Sequence, residues 1–138
     1  MNRIVVDTNV YISALVFGGV SQMVFDLIEG LGQSLYISQP IMAEVAEVLA
    51  RKFGWTRAEL EDFLWPLWQR CIILTPTAAV DICDDPDDDR ILECAAAAGA
   101  DFIVTGDHDL LRLKRFGAAE IVLPRVFVDA HRYTGRHE

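Results

Sequence analysis

Asp7, Glu44, Asp89, Asp107 and Asp109 are the side chains of this sequence best placed to do chemistry. Each lies just after a predicted strand or in the first turns of a predicted helix. In a parallel α/β sheet those two places share one rim. Carboxylates gathered there repel: at about 4 Å and an effective dielectric of about 20, each pair costs about 4 kcal/mol. Such a cluster persists only if some acids keep a proton or a cation lies among them. Hard oxygen ligands favour Mg2+ or Mn2+, as one or two ions. No lysine, second catalytic histidine or Gly-rich phosphate loop accompanies the acids, so the pattern points to metal-assisted chemistry on a phosphate ester. Each acid also has a plainer reading. Glu47 shows that a surface Glu is normal on the helix of Glu44, Gly106-Asp107 forms turns, Asp109 suits a helix cap, and Asp87 and Asp88 compete with Asp89.

Strands and helices alternate along the whole chain. Ile4-Val5-Val6 reads as a buried strand ending at Asp7, and Thr8 or Asn9 caps the helix that follows. A second helix starts at Ser21 and closes at Gly30 and Gly32. Leu35-Tyr36-Ile37 is the second strand. Ser38 then caps a helix with Pro40 in its first turn, Glu44 near the rim and Gly54 at its end. Thr56 caps a helix through about Arg70 that Pro66 should kink, and Cys71 to Leu74 form the third strand. The Asp-rich stretch 84–89 reads as a loop feeding a helix from Arg90 to Ala98, with Asp87 or Asp88 as cap. Phe102-Ile103-Val104 and Glu120-Ile121-Val122 are the fourth and fifth strands, with a short helix from Asp109 between them. Right-handed βαβ crossovers then give an α/β fold: a parallel sheet covered on both faces, in one domain spanning 1–138.

Composition narrows the function classes. An apolar fraction of 52% excludes a disordered chain. No apolar run is long enough to cross a bilayer and no signal peptide precedes the first strand, so a cytoplasmic protein without a membrane partner is expected. Cys71, Cys83 and Cys94 contain no C-x-x-C pair and read as reduced thiols rather than a zinc site. The net charge of −9 argues against loose nucleic-acid binding. The balance is nevertheless uneven: Arg112, Lys114, Arg115, Arg125, Arg132 and Arg136 gather near the C-terminus, and Arg51, Lys52 and Arg57 form a second basic group. A negative centre with basic flanks suits a metal site beside a phosphate track. Phe17 reads as core, while Tyr11 is divided between core and stacking on a base. The Trp55, Phe63, Trp65 and Trp68 group exceeds what one small helix buries easily, which leaves a dimer face or partner groove open.

Taken in order, Asp7-Thr8-Asn9 after the first strand, Glu44, the Asp-Pro-Asp-Asp-Asp run before Arg90-Ile91-Leu92, and Val104-Thr105-Gly106-Asp107-His108-Asp109 resemble the PIN-domain nucleases. The closer likeness is to their small toxin-like branch, which includes the VapC-type ribonucleases. The resemblance implies a three-layer α/β/α sandwich with a five-stranded parallel sheet of order 3-2-1-4-5. It also implies a Mg2+- or Mn2+-dependent endoribonuclease acting on single-stranded or structured RNA. Carried over by position, Asp7, Glu44, Asp89 and Asp107 look like the catalytic, metal-holding acids. Asp109, Asn9 and Thr105 look auxiliary, Asp89 being preferred to Asp87 and Asp88 for the spacing of Ile91-Leu92 and Ala95-Ala96 behind it. Arg112, Lys114 and Arg115 are candidates for RNA phosphates. The same likeness implies a protein antitoxin and a homodimer. A phosphoaspartyl enzyme of the HAD type would want an Asp where Asn9 stands, and a receiver domain an Asp where Thr75-Pro76 follows the third strand. A domain of this fold that binds RNA or a partner without cleaving is the remaining alternative.

Overall fold

A computed structural model describes residues 2–135, so Arg136 lies outside the described residues. The chain runs β1 (Arg3–Val6), α1 (Thr8–Phe17), α2 (Gly19–Gly30), β2 (Ser34–Ser38), α3 (Gln39–Phe53), α4 (Arg57–Gln69), β3 (Ile72–Leu74), α5 (Pro86–Ala98), β4 (Phe102–Val104), α6 (His108–Leu111), β5 (Arg115–Phe116), β6 (Ala119–Val122) and α7 (Pro124–Gly135). The sheet order is β3-β2-β1-β4-β6-β5. Five strands are parallel, in the order expected. The sixth, β5, is an added antiparallel edge that pairs Arg115 with Glu120 and Phe116 with Ala119. Two residues between turn signals are too short to show a strand period, so the sequence reading missed it.

β1 lies at the centre because it is apolar on both faces: Ile4, Val5 and Val6 are at most 1% exposed. The chain turns one way from β1 to β2 and the other way to β4. The crevice at the carboxyl ends of β1 and β4 is therefore the switch point of the sheet. Parallel register sets Val6 against Val104. The next residues, Asp7 and Thr105, thereby become neighbours at the rim.

The helices start and stop for local reasons. A reciprocal capping box opens α4: Thr56 Oγ1 accepts the Glu59 N–H at 3.1 Å, and Glu59 Oε1 accepts the Thr56 N–H at 2.9 Å. That helix runs through Pro66 to Gln69 without ending there. Gly54 and Gly99 end α3 and α5 with φ of 66° and 61°, a left-handed turn that a side chain would strain. The first two helices differ slightly from the sequence reading. Asp7 rather than Thr8 or Asn9 occupies the N-cap position of α1, and α2 begins at Gly19 rather than Ser21.

The aromatic expectations exchange places. Tyr11 is fully buried, tilted against Phe25 at 4.8 Å and edge-on to Trp68 at 5.9 Å, so it has no face for a base. Phe17, at the far end of α1, is 75% exposed.

Candidate active site

The backbone of Asp7 is fixed first. Its N–H donates to Val104 O at 2.9 Å, and its own carbonyl accepts from Val10 and starts α1. The side chain is then held by Thr105, whose hydroxyl donates to Asp7 Oδ2 at 2.7 Å and accepts the Asp107 N–H at 2.9 Å. Thr105 is 0% exposed and thus ties two acids together at the ends of two central strands. Burial pushes the Asp7 carboxyl from 3.8 up to about 6. The Thr105 hydroxyl and the Thr8 N–H oppose that rise, and the charges of Asp107 and Asp85 add to it.

On the β2 side, Ser38 leads directly into α3, which brings Glu44 to the rim. Thr8, the first residue of α1, donates its hydroxyl to Glu44 Oε1. The sequence reading treated Thr8 only as a cap; a hydroxyl one residue after a rim acid was the available signal. Burial raises the Glu44 carboxyl to about 7, helped by the neighbouring Asp87 and opposed by the Thr8 hydroxyl.

The Asp-rich stretch corrects the sequence reading in two ways. α5 starts at Pro86 rather than Arg90, and its cap is Asp85, which accepts the Asp87 N–H at 2.9 Å. Asp87, Asp88 and Asp89 are therefore consecutive residues of a helical first turn. At 3.6 residues per turn they point in three directions. Asp87 meets Glu44. Asp88 faces Asp107, and burial, followed by the nearness of Asp107, raises the Asp88 carboxyl to about 8. Carboxylate oxygens of Asp88, Asp107 and Asp109 lie within 4.8 Å of one another, a grouping able to hold a cation.

Asp89, the expected ligand, turns elsewhere. Its Oδ1 accepts the N–H groups of Cys83 at 2.9 Å and Ile82 at 3.2 Å. Burial alone would raise this carboxyl, but the two backbone donors hold it below the usual range. Asp88, not Asp89, continues the core stripe of Ile91, Leu92, Ala95 and Ala98 toward the rim. Counting back from Ile91 by three and from Leu92 by four would have found it. The Cys83 thiol sits beside Asp89, Asp88 and Asp107, and burial together with those acids pushes it up to about 12.

Asp107 caps α6 by accepting the Asp109 N–H at 2.8 Å, and Arg112 donates to Asp109 at 2.8 Å. Asn9 and His108 are exposed at the same rim. Of the three basic candidates, Arg112 reaches the site through Asp109. Lys114 stands in a left-handed turn with φ of 66°. Arg115 pairs with Glu120, which pairs with Phe102 at the opposite end of the sheet, so register carries it away from the acids.

The acids fit a divalent cation. Asp7 and Asp88 are buried, Glu44 and Asp107 are half-buried, and Asp88, Asp107 and exposed Asp109 gather within 4.8 Å of one another against their own repulsion. A cation would offset that repulsion.

Comparison with known proteins agrees with this architecture. An uncharacterised protein of Methanocaldococcus jannaschii, MJ1680, is 30% identical over 117 residues, covering 81% of this chain and 75% of that protein. The crystal structure of VapBC2 from Rickettsia felis bound to a DNA fragment from its promoter contains a chain that superposes with a TM-score of 0.64. It has 16% identity and covers 88% of this chain and 98% of that one, which establishes a shared fold. The PIN domain model matches residues 3–109, a span that holds every acid of the rim from Asp7 to Asp109, and the chain belongs to the PIN domain family.

Proposed function

We propose that this protein is a metal-dependent endoribonuclease whose ions are held by Asp7, Glu44, Asp88 and Asp107, with Asp109 and Asp87 at the margin. The observation that carries the reading is geometric: carboxylate oxygens of Asp88, Asp107 and Asp109 lie within 4.8 Å of one another, beside buried Asp7, which Thr105 ties to Asp107. Acids so gathered have a use for a cation. Bound Mg2+ or Mn2+ would neutralise charge on the phosphodiester and lower the pKa of water at the site. The chain's own contribution is to orient. Thr105 aligns Asp7 with Asp107, Thr8 aligns Glu44, and Glu44 or Asp87 can accept a proton at the margin of the cluster. Arg112, exposed beside Asp109, suits a backbone phosphate of RNA without reading sequence.

We further propose a toxin role with a protein antitoxin, and self-association of the chain. Phe17, Phe63 and Trp65 are 75%, 57% and 66% exposed, more aromatic surface than a solitary domain keeps. A hollow of about 340 Å3 between α2 and α4, lined by Phe25, Ile28, Leu35 and Leu67 together with Glu29 and Arg70, adds a second place for a protein partner. It lies apart from the acids.

The test is cleavage of labelled single-stranded and structured RNAs with Mg2+, Mn2+ or EDTA, comparing the native protein with Asp7→Asn. Metal-dependent cutting that the variant loses supports the nuclease. RNA binding that survives in Asp7→Asn, with no cutting by either protein on any RNA, supports a binding module instead.

A further inference from the structure

The two neighbouring aspartates of α5 have opposite surroundings, and only one of them faces the acid cluster. Asp88 meets Asp107, whereas Asp89 takes two backbone N–H groups from the segment that leads into the helix. A second strap runs parallel to the first. Val80 donates its N–H to Glu93 Oε2 at 2.9 Å, and Arg90 holds the same carboxylate at 3.0 Å. Residues 80–83 are thus laid along α5 by side chains one turn apart. The turn that joins these straps to the helix carries Asp84 and Asp85, and the first turn of α5 adds Asp87, Asp88 and Asp89, so acidic groups crowd the start of the helix. Left unrestrained, that turn would relieve its repulsion by fraying, since helix ends are held by few bonds.

We propose that Asp89 is a positioning residue: by clamping the 82–83 backbone it keeps the first turn of α5 formed, and so presents Asp88 and Asp87 to the ion before the ion arrives. The proposal rests on the metal-dependent reading above, but its first readout does not need activity. Both amides converge on Oδ1 of Asp89, and an asparagine retains that oxygen as an acceptor. Asp89→Asn therefore keeps the clamp, and Asp89→Ala removes it. A metal ligand would behave differently, because Asn at a ligand position loses the charge that binds the ion.

The experiment compares native protein, Asp89→Asn, Asp89→Ala and Asp88→Asn. Hydrogen exchange is measured without metal, and Mn2+ affinity is measured by the loss of free-ion EPR signal. Asp89→Ala should speed exchange at Ile82, Cys83 and the first turn of α5, and should weaken Mn2+ by about 10-fold or more, the usual effect of losing an outer partner of a metal site. Asp89→Asn should stay within about 3-fold of native, well short of that range. Asp88→Asn should lose the most affinity while leaving exchange at Ile82 and Cys83 unchanged. The proposal is overturned if Asp89→Asn loses as much Mn2+ affinity as Asp88→Asn, which would make Asp89 a ligand. Unchanged affinity in Asp89→Ala, or no Mn2+ binding by the native protein, overturns it as well. If Mn2+ binds in the expected order and no RNA is cut, the nuclease reading fails and the positioning role stands.

Discussion

Removing the central acid should stabilise the metal-free protein, and should end RNA cleavage if the proposed function holds. Asp7 is 5% exposed, and its carboxyl ionises in the folded chain near pH 6 rather than at the 3.8 of an unconstrained Asp. The folded state therefore binds more protons than the unfolded one across this interval, so stability falls as pH rises. The loss begins near the unfolded value and is complete once the pH passes the folded value. The difference of about 2.2 pH units, at about 1.36 kcal/mol each, amounts to about 3 kcal/mol at pH 8 and about 0.5 kcal/mol at pH 4. Asp7→Asn never ionises, and its amide oxygen, placed where Oδ2 lies in the native protein, accepts the Thr105 hydroxyl. In EDTA the variant should melt about 10 °C above native at pH 8, with most of that advantage gone at pH 4. Saturating Mn2+ should close the gap at pH 8, because the ion neutralises native Asp7 and has lost a ligand in the variant. Scanning calorimetry at the two pH values, with and without Mn2+, measures all four numbers. Equal melting temperatures at pH 8 in EDTA, or an advantage of the same size at pH 4, would refute the argument that ionic repulsion and desolvation strain this site.

Four further outcomes follow from the geometry. Apparent Mn2+ affinity should rise from pH 5.5 to about 8 and then level, because Asp7, Glu44 and Asp88, raised to about 6, 7 and 8, must release protons to the solvent before they hold an ion; titration calorimetry in two buffers would report the protons released. Thr105→Val deletes a buried hydroxyl that serves Asp7 and Asp107 at once, and should cost about 1–3 kcal/mol in urea denaturation while weakening Mn2+. Lys114→Gly should gain about 1 kcal/mol by relieving a left-handed lysine, and RNA cutting should persist if Arg112 rather than Lys114 meets the phosphates. Self-association should show by ultracentrifugation, with Trp65→Glu shifting it toward monomer; a 15.4 kDa species for the native protein at high concentration would remove the idea.

The acids announced their own neighbourhood because local patterns decide where strands end and helices begin. An apolar triplet followed by Asp7, and another followed by Thr105-Gly106-Asp107, name the rim of a parallel sheet without any coordinate. Glu44, near the start of an amphipathic helix, follows by the same reasoning. Where the reading went astray, the missing quantity was an angle. Asp87, Asp88 and Asp89 are chemically identical neighbours, and which one faces inward depends on the helix starting at Pro86 rather than Arg90. Arg115 failed for a related reason: the two-residue strand β5 reverses the chain and takes it to the opposite rim. Tyr11 and Phe17 exchanged roles because burial of a residue on a short, evenly apolar helix depends on what packs against it. Phe25 and Trp68 cover Tyr11, whereas Phe17 meets Phe53 at 6.1 Å and stays largely in solvent.

By itself, then, the order of residues determined an α/β chain with its acids at one rim, since periodicity and helix caps are properties of neighbours along the chain. Only the tertiary structure decided that Asp88 joins Asp107 while Asp89 accepts two backbone amides, that Thr105 couples two acids, and that Thr8 holds Glu44. Those facts depend on helical phase and on register between strands nearly one hundred residues apart, and neither is fixed until the sheet has closed around β1.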